Sequence, residues 1–471
     1  MKIKKKDPPE QLQLKRQLGL FDSTMVMVGI VIGSGIFVTT GIMAKYIPST
    51  GLLLLAWIVG GLLTLAGALT YAELGAAMPE AGGQYVYLRE AYGPMAAFLF
   101  GWVLFLVYMT GGIAGLALAF AEYFGKFFPS LSTDTFFLQK TIKIFQTSIN
   151  INLSAGQLVG VAVILLLSFF NYIGVIFGKL IQNFFTVIKI GMVMAIIVLG
   201  FTIGKGTAPT LTLNPGGWSF SQMIFGFGLA LVAITWAFDG WNNVNFVAGE
   251  IKNPKHTLPR ALIIGTLGVT VLYVLINYIY LYALPMNKII GEVKIAEQAT
   301  VSLFGESIGG LISAVVLISI FGSINGSILA GPRVYYAMAR DKLFFKRASE
   351  VHPHFKTPGF AIIIQGIWAS ILTLAGTFEQ LFTFAMFIAI VFWIAAAASI
   401  FTLRKKFPDL HRPYKTWGYP FVPIIFILTS LGILINTLFE KPVEALAGIL
   451  FTALGIPVYF FWKRKQSKNS S

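Results

Sequence analysis

The sequence predicts an all-α integral membrane protein with twelve membrane-crossing helices, and three observations lead there. The chain is 56% hydrophobic and 11% charged over 471 residues, with a mean hydropathy of +0.78, which is too little polar surface to cover a soluble protein of that size. Its apolar runs are long enough to cross about 30 Å of hydrocarbon at roughly 20 residues each. The first and sixth runs are interrupted by glycine and polar residues, at corresponding positions of two five-helix halves.

The twelve runs fall at residues 20–46, 52–77, 95–121, 155–175, 180–204, 219–249, 259–283, 308–337, 358–377, 380–402, 420–438 and 442–462. An even number places both termini on one side of the bilayer. Lys2, Lys4, Lys5, Lys6, Lys15 and Arg16 precede the first run, and every arginine falls on that same side, in loops, tails or the ends of runs. The opposite loops carry scattered lysines such as Lys126, Lys140 and Lys288, so both termini are expected in the cytoplasm. This topology accounts for the formal charge of +16 without nucleic acid. The absence of cysteine excludes disulfides, thiolate nucleophiles and Cys-ligated zinc. The leader is basic and contains proline, with no small-residue cleavage site, and does not read as a removable signal peptide.

The first run holds V-M-V-G-I-V-I-G-S-G-I-F-V-T-T, Val26 to Thr40. Gly33, Ser34 and Gly35 let the backbone unwind, and unwound backbone at membrane depth is tolerated only beside a cavity or inside protein. The half-helix after such a break presents unpaired N–H groups suited to a carboxylate, and the half before it presents carbonyls suited to an ammonium. One interruption therefore offers both halves of a site for a zwitterion.

The second run ends in punctuation at Pro79, Gly82, Gly83 and Pro94, which with its aromatic residues predicts a structured loop at the interface. Glu73 reads either as a functional intramembrane acid or as a carboxylate solvated or paired with Arg89. The small-xxx-small pairs Gly29/Gly33 and Gly111/Gly115 suggest close helix packing. In the fifth run Lys189 has no carboxylate three or four residues away. It reads either as a lysine reaching to the cytoplasmic interface or as a cation fixed in the bundle where a relative would hold Na⁺.

The sixth run breaks at T-W-A-F-D-G-W-N-N-V-N, Thr235 to Asn245, with Asp239 and Gly240 at its centre. One break alone would suggest a packing kink, but two in register point to a transporter binding site. Residues 285–305 predict short extracellular helices capping a cavity. Asn242 and Ser323 are possible lining residues. His352 and His354 lack a partner cluster, so no metal and no cofactor are expected.

At this point the chain resembles a known family. G-S-G-I-F, Y-A-E-L-G with P-E-A-G-G-Q-Y-V-Y, W-A-F-D-G-W-N-N-V-N-F-V, and E-I-K-N-P with L-P-R-A-L are similar to motifs of the amino acid–polyamine–organocation superfamily, on its L-type amino acid transporter branch and of bacterial type. The resemblance implies a leucine-transporter-type five-plus-five inverted repeat with two extra helices. Residues 1–17 would then be a cytoplasmic tail, 18–204 the first repeat, 205–402 the second, 403–462 the last two helices and 463–471 a second tail. It implies a substrate carboxylate at Ser34, Gly35 and Ile36, beside the Gly33 break, and an ammonium at the carbonyls of Val31 and of Trp236, Ala237, Phe238 and Asp239, ahead of Gly240. Trp236 would close over the substrate and Lys189 would fill the sodium position. The cysteine that eukaryotic relatives use to attach a heavy chain is missing, and Asp239 stands where they tend to have glycine. Asp239 would sense the substrate ammonium or hydrogen-bond its own helix ends.

The function expected is sodium-independent exchange of neutral L-amino acids across the plasma (inner) membrane, with an amino acid substrate and the lipid bilayer as partners and with no nucleic acid or disulfide-linked heavy chain. The alternatives are proton symport through Lys189 and, from a different class, a non-transporting amino-acid sensor, against which the short tails argue. A membrane enzyme is disfavoured because no nucleophile and base share a segment.

Overall fold

The computed structural model describes residues 14–144, 147–214, 216–375 and 378–468. Most of the expected N-terminal tail, with Lys2, Lys4, Lys5 and Lys6, and the last three residues of the C-terminal tail lie outside these ranges. Among the described residues, ten helices are long and apolar enough to cross a membrane, and Leu20–Val31 and Gly359–Ala375 are shorter apolar helices. The fold is that of a helical, multi-pass membrane protein.

Helix α1 (Leu20–Val31) starts where the Asp22 carboxylate accepts the Gly19 N–H at 2.9 Å. Its 12 residues rise only about 18 Å. A 3₁₀ turn at Gly35–Phe37 and α2 (Thr39–Tyr46) continue the same segment. Helix α3 (Thr50–Ala77) is capped by the Ser49 hydroxyl, which accepts the Leu52 N–H.

The punctuated stretch that follows is not an interfacial loop but a buried helix, α4 (Gln84–Tyr92). Its polar groups find partners inside the protein. Gln84 donates to the Phe392 carbonyl at 2.8 Å, Tyr85 to Asp341 at 3.1 Å and Tyr87 to Asn245 at 3.0 Å. Glu73 is likewise neither solvated nor paired with Arg89. It accepts two hydrogen bonds from Arg404, at 2.9 and 2.7 Å, and one from the Thr416 N–H at 2.6 Å, while Arg89 pairs with Asp341 at 2.8 Å.

Helices α5 (Pro94–Val103) and α6 (Met109–Gly125) join through a π turn at Leu104–Tyr108. An antiparallel hairpin then departs from the all-α expectation, pairing β1 (Phe136–Ile144) with β2 (Thr147–Ser154). The reason is period-two alternation, visible in S-I-N-I-N-L-S, which suits a strand and not a helix. Helices α7 (Ala155–Tyr172) and α9 (Phe220–Ala237) open with Ser-x-x-Gln capping boxes at Ser154/Gln157 and Ser219/Gln222, and α8 (Val175–Thr202) lies between them.

The sixth segment is helical only to Ala237. Residues 243–245 and 248–250 form 3₁₀ turns, and an asparagine side chain serves the backbone there, Asn245 donating to the Asn242 carbonyl at 2.9 Å, while the Asn242 side chain donates to Gln84 at 2.9 Å. Helix α10 (Pro254–Ala283) begins with Pro254 in its first turn. The loop after it forms two short helices as expected, α11 (Met286–Ile289) and α12 (Ile295–Phe304). Helices α13 (Gly309–Ala330) and α14 (Pro332–Arg340) make up the eighth segment, followed by α15 (Gly359–Ala375), α16 (Phe378–Lys406), α17 (Phe421–Glu440) and α18 (Pro442–Lys468).

Helix α1 packs between α8, α10 and α13, and α2 against α9. Outward positions such as Phe184, Phe225, Leu428 and Phe461 are exposed large apolar residues, as a lipid-facing surface requires. The end of the sixth segment is tied to the start of the chain by the Glu250 carbonyl, which accepts the Gln17 and Leu18 N–H groups at 2.7 and 2.9 Å. The Glu250 carboxylate is fully buried against Arg333, with contacts of 2.9 and 3.0 Å. Arg333→Met should therefore destabilise the protein by about 3–5 kcal/mol, because it strands a buried carboxylate. Thermal unfolding in detergent checks this, and adding Glu250→Gln should recover much of the loss.

Candidate substrate site

The two interruptions meet. Gly240 has φ +94°, a conformation that favours glycine, and a Cβ there would lie 2.3 Å from Ile30 Cγ2. A Cβ on Gly35 would lie 2.9 Å from the Ala237 Cα. Each break therefore sits against the other, and glycine permits the approach. At the first, Ile32 leaves helical geometry with ψ 79°, and the Gly33 N–H turns back to the Val31 carbonyl at 2.8 Å. The 3₁₀ turn that begins at Gly35 has leading N–H groups with no partner inside the turn. At the second, the Asp239 N–H reaches the Trp236 carbonyl at 3.1 Å before the chain reverses at Gly240.

Lys189 extends from α8 into the first break and is completely buried. Its ammonium donates to the carbonyls of Gly29 at 2.9 Å, Ile32 at 2.7 Å and Ser319 at 2.7 Å, with the Ser323 hydroxyl at 3.3 Å. Two hydroxyls brace the same carbonyls: Ser319 Oγ donates to Ile32 at 2.8 Å and Ser323 Oγ to Gly29 at 2.9 Å. A lysine at membrane depth costs about 3 kcal/mol on insertion scales. Three charge-assisted hydrogen bonds at about 1.5–3 kcal/mol each offset that cost, and the negative end of the α1 dipole adds to them. Of the two readings of Lys189, the structure shows the cation inside the bundle rather than at the interface.

A cavity of about 70 Å³ opens at the breaks, lined among others by Val31, Gly33, Ser34, Gly35, Trp236, Ala237 and Asp239. Seven of the sequence-derived candidates are thus brought together. Ile36, Phe238 and Gly240 are not among its lining residues; Ile36 and Phe238 are buried in the core behind. Neither Asn242 nor Ser323 lines it, since Asn242 donates to Gln84 and Ser323 to the α1 carbonyls. Their neighbours Asn243 and Ser327 line it instead.

Two tyrosines complete the site, and neither stood out in the sequence. The Tyr108 hydroxyl, at the end of the π turn, donates to Asp239 Oδ1 and lines the cavity. The extra backbone residue of a π turn re-aims a side chain, and such turns gather at functional sites. The Tyr273 hydroxyl lies 3.0 Å from the Val31 carbonyl and 3.1 Å from the Ala237 carbonyl. Its single proton serves one of the two broken helices at a time. No local pattern marks these positions, because each is one aromatic residue in an apolar run.

Fold and site define a polytopic membrane protein whose cavity is bounded by helix ends. Residues 18–461 match the amino acid permease family. The chain is 36% identical over 459 residues to the serine/threonine exchanger SteT of Bacillus subtilis (strain 168), covering 96% of this chain and 98% of that protein. It is 32% identical over 467 residues to the cystine/glutamate transporter of Homo sapiens, covering 98% and 89%. To the b(0,+)-type amino acid transporter 1 of Mus musculus it is 30% identical over 456 residues, covering 95% and 88%. The chain therefore belongs to the amino acid permease family, on the L-type amino acid transporter branch of the amino acid–polyamine–organocation superfamily, and is a transporter and not an enzyme. With no cysteine in its sequence, it forms no disulfide to a partner chain.

Lys189→Met keeps the side-chain length and removes the charge. It leaves the carbonyls of Gly29, Ile32 and Ser319 short of a donor, at about 1–3 kcal/mol. Amino acid flux in vesicles should fall about tenfold or more, with a lower melting temperature in detergent; Ser319→Ala should have a smaller effect on both.

Proposed function

We propose that this protein exchanges neutral L-amino acids across the cell membrane by alternating access, without sodium. The observation that carries the reading is the Lys189 ammonium, seated among the carbonyls of Gly29, Ile32 and Ser319 beside a cavity lined by both helix breaks. A built-in cation does there what a bound metal ion would otherwise do: it meets the carbonyls of a broken helix. No ion gradient then needs to be spent, and loaded return of the cavity is the mode it supports. The similarity to a serine/threonine exchanger along nearly the whole chain weighs for exchange and against proton symport through Lys189.

In this reading α1 with α2, and α9 with the turns after it, are single crossings interrupted at mid-membrane. With the other nine long helices and α15 they make twelve crossings, in the order of a five-plus-five inverted repeat at 18–204 and 205–402 with two helices at 403–462. The basic loops put both termini in the cytoplasm. The substrate carboxylate meets the N–H groups of Ser34, Gly35 and Ile36, and its ammonium meets the carbonyls of Val31 and of Trp236 to Asp239. Trp236 closes over it. Asp239, held by Tyr108, faces the same cavity and biases it toward the cationic end of the substrate. The two broken segments then rock against the helices around them.

In proteoliposomes, uptake of labelled L-serine should require an unlabelled amino acid inside and should be unchanged when choline replaces sodium. Uptake into vesicles without internal amino acid overturns exchange, and uptake that collapses without sodium overturns the role given to Lys189.

A further inference from the structure

A second cavity, of about 260 Å³, lies directly against the substrate cavity and shares Ser34, Gly112, Leu116 and Trp236 with it. Helix α6 contributes Glu122 to its lining, and the loop between α11 and α12 contributes Lys294. Nearby, Lys126, just past the end of α6, pairs with Glu297 in α12, and Lys126 also donates to Ser313 at 3.3 Å. Glu122 and Lys294 are not so joined. Among the described residues neither side chain makes a hydrogen bond or ion pair, and the nearby Glu292 carboxylate is taken up by the Lys294 backbone N–H at 2.7 Å. Two opposite charges thus line one chamber without pairing with each other.

Resting on the transport reading above, we propose that this vestibule is an outer binding site for zwitterionic amino acids, with Glu122 receiving the ammonium and Lys294 the carboxylate. A neutral amino acid carries no net charge for a uniform field to attract, but a pair of opposed charges orients and concentrates it. The site delivers it onto Ser34 and Trp236, the residues common to both cavities. Occupancy there is transient, since both charges remain close to solvent and are screened by salt.

The test compares the two faces of the membrane, using right-side-out and inverted vesicles and labelled L-serine. Glu122→Gln and Lys294→Gln should each raise the KM on the α12 face about threefold or more and weaken its dependence on ionic strength. The KM on the opposite face and the maximal rate should match the unmodified chain. Exchanging the charges, Glu122→Lys with Lys294→Glu, should restore part of the loss, because a free zwitterion can reverse its orientation. An unchanged KM on the α12 face overturns the proposal, and so does an equal rise on both faces, which would mark general damage to transport. Absence of serine exchange by the unmodified chain would instead overturn the transport reading, and this one with it.

Discussion

A single ammonium group, placed where a membrane helix stops short, sets much of the rest of the structure. Helix α1 ends after 12 residues, and the carbonyls of Gly29 and Ile32 at its end would otherwise face a low-dielectric interior with only the Ser319 and Ser323 hydroxyls to meet them. Lys189 answers both, Gly29 at 2.9 Å and Ile32 at 2.7 Å, together with the Ser319 carbonyl of α13 at 2.7 Å. The requirement is mutual, since a lysine buried in that place needs those acceptors for its donors. The arrangement fixes α8 and α13 against the end of α1, and so fixes the backbone that forms one wall of the cavity.

The other wall depends on a second shared group. The Tyr273 hydroxyl lies within reach of the final carbonyls of both α1 and α9, so α10 senses both breaks through one atom. Asp239 is held from the opposite direction by Tyr108. The cavity is thus bounded by polar groups whose partners are mostly within the protein, with its tyrosines positioned from neighbouring helices. Trp57, Phe238 and Tyr273 form an aromatic cluster beside the second break, with centroids 5.0 to 6.2 Å apart.

Some of this was legible in the residues and some was not, for physical reasons that can be named. Membrane-crossing segments are sequence features because the bilayer imposes a length and an apolar composition on each run separately. Partner choice is different. Glu73 finds Arg404, 331 positions away, and not the nearby Arg89, because pairing follows packing once helices assemble. The stretch around Tyr85 and Tyr87 carried every mark of a loop, yet it is a buried helix, since its hydroxyls reach Asp341 and Asn245. The hairpin at 136–154 had its alternation in plain view, but the count of apolar runs passed over it.

What the sequence determined by itself is the class of protein, the positions of the long apolar helices and the two places where glycine and polar residues interrupt an apolar run, because each follows from local composition and backbone freedom. That the breaks face one another, that Lys189 reaches the first and that Tyr108 and Tyr273 close the site were decided only by the tertiary structure. The contacts join residues more than a hundred positions apart, with the 36 between Tyr273 and Ala237 the exception. Only the packing of helices brings such groups within hydrogen-bond distance, and no local periodicity records it.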